Sequence, residues 1–278
     1  MNWPDLDLPP INLWNLPDYK GLNVMKILIC GYGFVGKAHA LALESEHVKT
    51  YVYDPAYDSY NERLGNPDAV IVCVSTPQAK DGSCDMSNVY DAIENVDDDV
   101  PILIKSTISL EGWRLINRAF PNKKITFSPE FLRADYAWED FKNQKEVYIG
   151  GGDISFWATM LCMNLGVKVS GKDPEALILA KYLRNSFLAT KVAFFNQVDD
   201  LCVAAGVDPD LVCDLVTEDK RIGKSHSYVY NDPHERGFGG HCLPKDTSAL
   251  VKTAEEFNYD FSILREAIKY NKKLRGEK

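Results

Sequence analysis

Apolar residues along this chain fall into two regimes. From Lys26 onward, short apolar runs recur at Lys26–Cys30, Lys49–Tyr53, Ala69–Val74, Pro101–Lys105, Lys124–Phe127 and Glu146–Ile149, with Val167–Val169 as a brief seventh. Each reads as a buried strand, and helical stretches such as Lys37–Ser45 separate them. Strands alternating with helices predict a parallel sheet with right-handed crossovers. At Asp173 the pattern becomes helical. Asp173 suits an N-cap, Pro174 the N1 position and Glu175 the first turn. Leu177, Ala180, Leu183, Leu188, Val192, Phe195, Val198 and Leu201 then recur at helical spacing as far as Gly206, a fitting stop. Such a helix would be roughly 50 Å long. It is apolar round much of its circumference, so both sides are expected to pack. Helices follow over Pro209–Glu218, Pro244–Phe257 and Ser262–Leu274, with a polar loop at 219–243.

Residues 1–24 fit neither regime. Pro4, Pro9, Pro10 and Pro17 break helices there, and Trp3 and Trp14 stand alone. The stretch reads as an arm, lying either on its own domain or on a partner subunit. The expected domains are thus the arm 1–24, a sheet domain over 25–172 and a helical domain over 173–278.

Composition narrows the function. The 278 residues are 45% hydrophobic, enough for one large or two ordinary domains. A formal charge of −9 with no basic face argues against nucleic-acid binding. No apolar run reaches the roughly 18 residues of a membrane span. The seven cysteines, an odd number with no CxxC pair, suggest a reduced, cytoplasmic setting without a metal site.

Gly31-Tyr32-Gly33-Phe34-Val35-Gly36 lies between the first strand and the first helix, and Asp54 ends the second strand. This context turns a weak G-x-G-x-x-G into a dinucleotide fingerprint. Gly31 makes the turn, Gly33 admits the pyrophosphate, Gly36 lets helix pack on strand, and the helix start offers N–H groups. Asp54 would accept from the ribose hydroxyls and repel a 2′-phosphate, which favours NAD over NADP. The expected fold class is α/β: an N-terminal Rossmann-like doubly wound parallel sheet followed by an all-helical domain with a long central helix. Val74-Ser75-Thr76-Pro77 and Lys105-Ser106-Thr107 close the third and fourth strands, where open α/β sheets bind ligands.

The chemistry concentrates in Gly237-Phe238-Gly239-Gly240-His241-Cys242-Leu243-Pro244-Lys245-Asp246. Pro244 suits a first helical turn, which puts Cys242 at a helix start, where free N–H groups and the dipole favour a thiolate. The glycines let a substrate approach closely. Ser128-Pro129-Glu130-Phe131-Leu132-Arg133 follows the fifth strand, Lys181 and Asn185 share a face of the long helix at i, i+4, and Asp219-Lys220-Arg221-Ile222-Gly223 sits in the polar loop.

The decamer and these segments, in this order over about residues 25–275, resemble the UDP-glucose/GDP-mannose dehydrogenase family. The resemblance implies NAD-dependent oxidation of the C6 hydroxyl of a nucleotide sugar to the carboxylate. It implies Cys242 as nucleophile through a thiohemiacetal and a thioester, with Glu130, Thr107 and Asp246 assisting water and Lys181 and Asn185 stabilising oxyanions. The implied cofactor set is Gly31, Tyr32, Gly33, Phe34, Val35, Gly36, Asp54, Val74, Ser75, Thr76, Pro77, Ser106 and Lys245. The implied substrate set is Glu130, Phe131, Leu132, Arg133, Lys181, Asn185, Arg221, Phe238 and Gly239, with Arg221 acting across a homodimer built on the helix 174–205. One position departs from the family pattern: a second glutamate is expected where Ala134 stands, and Asp135 follows it. Family members continue past the terminal helix into a further α/β domain, so this chain reads as a shortened form. The alternatives are an NAD-binding dimeric partner or regulatory protein without turnover, and a dehydrogenase for a smaller substrate.

Overall fold

A computed structural model describes residues 24–57, 59, 65–132, 136–230 and 235–277. The expected arm, up to residue 23, and Arg133, Ala134 and Asp135 lie outside the described residues. In chain order the elements are β1 (Met25–Cys30), α1 (Phe34–Leu43), β2 (Val48–Tyr53), β3 (Ala69–Val72), α2 (Ser87–Glu94), β4 (Ile102–Ile104), α3 (Leu110–Ala119), β5 (Ile125–Phe127), α4 (Ala137–Asn143), β6 (Glu146–Gly151), α5 (Ile154–Leu165) and β7 (Lys168–Gly171), then α6 (Pro174–Ala205), α7 (Pro209–Thr217), α8 (Leu243–Glu256) and α9 (Ser262–Arg275). This is the expected α/β class with its long helix. Among the described residues, no helix is long and apolar enough to cross a membrane.

The strands form one sheet in the order β2-β1-β3-β4-β5-β6-β7. Neighbours run parallel except β5 and β6, which are antiparallel. The reversed contact is made by two glycines, Gly151 opposite Thr126 and Gly150 opposite Phe127. Gly151 has φ +107, and a Cβ there would lie 2.8 Å from the Ile125 carbonyl oxygen. Short apolar runs do not reveal strand direction, which is why periodicity alone points to a purely parallel sheet.

The chain divides into two compact units. One contains the residues up to Thr76 together with Asp85–Lys181; the other contains Pro77–Cys84 and the residues from Tyr182 onward. In the first, Ile27, Ile29, Ile71, Leu103 and Ile149 of the sheet pack with Leu43 of α1 and Trp157 and Leu161 of α5. At the start of α6 the Asp173 carboxylate accepts the Ala176 N–H at 2.8 Å, as expected of an N-cap. The Arg114 guanidinium grips Glu175 through Nε at 2.9 Å and Nη2 at 2.7 Å. Gly206 ends the helix with φ +71, and the Val207 N–H reaches back to the Cys202 carbonyl at 2.9 Å.

In the second unit the loop Pro77–Cys84 lies against α8. Gln78 Nε2 donates to Ser248 Oγ at 2.9 Å, and Ser248 donates to the Gly82 carbonyl at 3.1 Å. Gly82 has φ +91, and a Cβ there would meet Ser248 Oγ at 2.6 Å. The helices also leave large side chains in water: Phe187 is 70% exposed, Leu201 68% and Phe194 57%.

Trp157 is fully buried, yet its indole N–H meets no hydrogen-bond acceptor among the described residues. Trp157→Ala should therefore cost about 3–5 kcal/mol through the cavity it opens. Trp157→Phe should cost much less, under about 2 kcal/mol, because the lost volume is partly offset by removing an unpaired donor. Urea denaturation of both variants checks this; equal losses would contradict the packing described.

Candidate functional site

The first unit carries a nucleotide-shaped turn. β1 is buried from Ile27 to Cys30, so the chain leaves the sheet at Gly31. Gly31 has φ +95, and a Cβ there would lie 2.6 Å from the Cys73 carbonyl oxygen; at Gly36 it would overlap the Gly31 carbonyl at 1.9 Å. A Cβ on Gly33 would meet nothing within 4 Å. Two glycines are thus required by packing, and the third faces open space at the start of α1, where a phosphate can approach. The Asp54 carboxylate accepts the Tyr32 N–H at 2.7 Å and the Ala56 N–H at 3.0 Å. It fastens the glycine turn as well as ending β2, a duty that spacing alone does not show. The Lys37 ammonium sits over the Tyr32 and Tyr57 rings at 5.3 and 5.7 Å. A cavity of 260 Å³ adjoins this end, lined by Cys30, Tyr53, Pro55, Asn88 and Asp91. Ser106 Oγ donates to the Val74 carbonyl at 2.7 Å, and Asn88 Nδ2 to the Ser75 carbonyl at 3.0 Å, so the ends of β3 and β4 are stitched together. Thr76 is buried here and Thr107 half-buried.

The same unit holds a buried ionic cluster. Lys105 and Glu130 are 5% and 7% exposed. The Lys105 ammonium lies 3.1 Å from Glu130 Oε2 and donates to Ser128 Oγ at 3.0 Å. The Glu130 contact is an ion pair off hydrogen-bond alignment: Oε2 accepts no hydrogen bond from any described residue. Glu130 Oε1 accepts the Phe131 N–H at 3.0 Å, and the Glu130 carbonyl accepts from Lys181 Nζ. Burial pushes the Glu130 carboxyl up, but Lys105 and then His39 pull it down further, leaving it below the ordinary glutamate range and ionised. His39 on α1 is buried, its Nδ1 2.9 Å from the Val35 carbonyl oxygen. Burial first, and Lys105 second, push its pKa down to about 4.

The second unit presents the thiol. Cys242 is the N-cap of α8, with Pro244 in the first turn as expected. Of the seven cysteines, all among the described residues, Cys242 is the one that is exposed. Four residues on, Asp246 is 1% exposed and accepts Asn185 Nδ2 at 2.6 Å and Lys245 Nζ at 2.7 Å. Tyr182 is fully buried here, and burial, then the Cys84 thiol and Asp246, push its phenol well above the ordinary range. Arg221 is exposed and chelates its own neighbour Asp219, with Nε 3.0 Å from both carboxylate oxygens. Lys191 on α6 ties that loop down by donating to the Ile222 and Gly223 carbonyls at 2.8 and 2.7 Å.

Residues 55–161 match the NAD binding domain of the UDP-glucose/GDP-mannose dehydrogenase family, and residues 176–273 match its central domain. The chain belongs to that family. It is 36% identical over 242 residues to a UDP-glucose 6-dehydrogenase of Rickettsia conorii, covering 83% of this chain and 54% of that protein. It is 31% identical over 226 residues to the Bacillus subtilis UDP-glucose 6-dehydrogenase YwqF, covering 77% of this chain and 50% of that protein. Among solved structures it resembles a UDP-glucose dehydrogenase of the archaeon Pyrobaculum islandicum, with a TM-score of 0.76 and 26% identity, over 93% of this chain and 70% of that one. The chain spans about half the length of the curated relatives it matches.

The glycine turn fits the cofactor of this family, since its packing leaves room at Gly33 alone. Within single units, Lys181 meets the Glu130 backbone and Asn185 meets Asp246. Lys245, expected at the cofactor, pairs with Asp246. Sequence reasoning missed the Lys105–Ser128–His39 group, although a lysine ending an apolar strand already signals a need for a buried partner.

His39 makes stability depend on acid. A folded pKa near 4 against an unfolded value of 6.5 leaves its contribution intact above pH 6.5 and removes it as pH falls toward 4. The loss from this one group is about 3 kcal/mol. In urea titrations across that window, His39→Gln should show a visibly flatter decline than the unmodified protein; identical slopes would contradict the buried neutral imidazole.

Proposed function

We propose that this chain oxidises the C6 hydroxyl of a nucleotide sugar of the UDP-glucose kind to the carboxylate, with Cys242 as covalent nucleophile. The observation that carries this reading is the exposed Cys242 at the start of α8, four residues before a buried, doubly held Asp246. The relatives named UDP-glucose 6-dehydrogenase support the substrate class.

Gly31, Gly33 and the first N–H groups of α1 hold the cofactor diphosphate, and Asp54 holds the adenosine ribose. NAD, when bound, would supply the hydride acceptor, one molecule for each oxidation, and in the first a general base takes the C6 hydroxyl proton as the aldehyde forms. Cys242 Sγ adds to the aldehyde carbon and makes the thiohemiacetal, the form whose oxidation leaves a thioester. Water then adds to the thioester carbon, the C–S bond breaks, and sulfur leaves as thiolate. Glu130 takes the water proton: against the effect of burial, its carboxyl is held below the ordinary range by Lys105 and is ionised. Lys181 and Asn185 donate to the oxyanions along this path. Thr107 orients the water, and Asp246 holds Asn185 and Lys245 in place. Phe131, Leu132 and Gly239 line the sugar, whereas the Phe238 ring, expected there, is packed among Ala189, Ala193 and Ala267.

The active form in this reading is a homodimer through α6. Phe187, Phe194 and Leu201 are too exposed for a helix that works alone in water, and a second copy would cover them and bring Arg221 to the neighbouring sugar. Light scattering at tens of micromolar should give twice the chain mass; a monomer would contradict both points.

Absorbance of NADH across a panel of UDP- and GDP-sugars tests the reaction. Turnover should be fastest with a UDP-hexose and should yield two NADH per acid. Cys242→Ser should lower acid formation at least about a thousandfold while NAD affinity stays within about twofold. Full turnover without Cys242 would remove the covalent route.

A further inference from the structure

The stretch that leads into Cys242 is held from outside itself. Gly237 and Gly240 have φ +77 and +74, and a Cβ on Gly240 would meet nothing within 4 Å. Glycine loses more freedom on ordering than any other residue, so this segment does not fix its own shape. Yet four backbone groups just ahead of the thiol are bound by side chains from the helices. The Phe238 N–H donates to Asn271 Oδ1 at 2.6 Å, and Asn271 Nδ2 donates back to the Phe238 carbonyl at 2.9 Å. The Gly237 N–H donates to Asn196 Oδ1 at 3.2 Å, and Arg275 Nη1 donates to the Arg236 carbonyl at 3.3 Å. The Arg236 side chain is anchored in turn on Asp200 at 2.8 Å and Asp199 at 3.2 Å.

Asn271 stands out in this set. It lies on α9, is 4% exposed, and spends both ends of its amide on one residue of the loop. Its Oδ1 lies 2.3 Å from where a Gly237 Cβ would be, so glycine there is required by contact as well as by φ. The Phe238 ring packs with Ala189, Ala193 and Ala267, which seats the same residue from the other side. Beyond Phe238 the chain passes Gly239 and Gly240 to reach Cys242, whose helix is tied to α6 through Asp246. The thiol therefore stands between two anchors, Asn271 on the upstream side and Asp246 on the downstream side.

We propose that Asn271 is a positioning residue for Cys242: its two hydrogen bonds to Phe238 set where the glycine span begins and so where the thiol stands. This rests on Cys242 being the nucleophile, and it adds a residue remote in sequence from the chemistry. An error of about 1 Å in such a group costs on the order of a hundredfold in rate.

The test compares the unmodified protein with N271A and, in case that variant fails to fold, R275M, which alters a side chain 27% exposed that also holds the loop. Steady-state kinetics with NAD and UDP-glucose are paired with hydrogen exchange of the 236–242 peptide, read without substrate. For N271A we expect kcat roughly ten- to a hundredfold lower, with the NAD KM within about twofold. We expect the Phe238 amide to exchange at least about fivefold faster, since it has lost its acceptor, while peptides of β1 and β3 stay unchanged. R275M should show the same pattern, smaller. A kcat within twofold of the unmodified enzyme in both variants overturns the proposal, as does a fall in kcat accompanied by faster exchange throughout the protein. If the unmodified protein oxidises no nucleotide sugar, the catalytic reading fails instead, and exchange together with the iodoacetamide rate of Cys242 still decides the positioning: an unchanged Phe238 amide and thiol rate in N271A would refute it.

Discussion

Glu130 and Asp246 are both taken out of water, and a buried carboxylate costs several kcal/mol unless cations or donors surround it. The two units meet this constraint in different ways. Around Glu130 one partner is charged: Lys105 pairs with it, His39 stays neutral beside the pair, and Ser128 occupies the lysine further. Around Asp246 they are one amide and one ammonium, Asn185 and Lys245, arriving from α6 and from the preceding residue. In each case the carboxylate fixes a neighbour as much as it is fixed. Glu130 anchors the segment after β5, and Asp246 fastens α8, with Cys242 at its tip, to α6.

The glycines divide along the same physical line. At Gly31, Gly36 and Gly237 a side chain is excluded by backbone or by a buried amide, so these residues serve packing. At Gly33 and Gly240 nothing stands within reach of a Cβ; Gly33 leaves room for approach from outside, and Gly240 is held at φ +74. These two sit at the start of α1 and just ahead of the thiol. Order at those places is imposed by neighbours: Asp54 at the first, and Asn271, Asn196 and Arg275 at the second.

What could be read from sequence follows from how local each feature is. The glycine fingerprint, Asp54 at a strand end, the Asp173 cap, the Gly206 stop and the cysteine before Pro244 all depend on spacing within a few residues, and each appears in the folded chain. The reversed direction of β6 was not legible, because an apolar run is the same read either way. Nor was the transfer of Pro77–Cys84 to the helical unit, which rests on contacts with Ser248 more than 160 positions away. Asn271 looks like an ordinary polar residue of a basic helix until the turn at Phe238 is folded against it. Arg221 stands in the expected loop, bound to Asp219.

The central claim is that an ionised Glu130 drives water onto a thioester held by Cys242. Rapid quench of Glu130→Gln with NAD and UDP-glucose, followed by mass spectrometry of the Cys242 peptide, addresses it directly. The account predicts a glucuronyl adduct that accumulates on that cysteine and decays about a hundredfold or more slowly than in the unmodified protein. Steady acid release from the variant at the normal rate, with no adduct on Cys242, would contradict it.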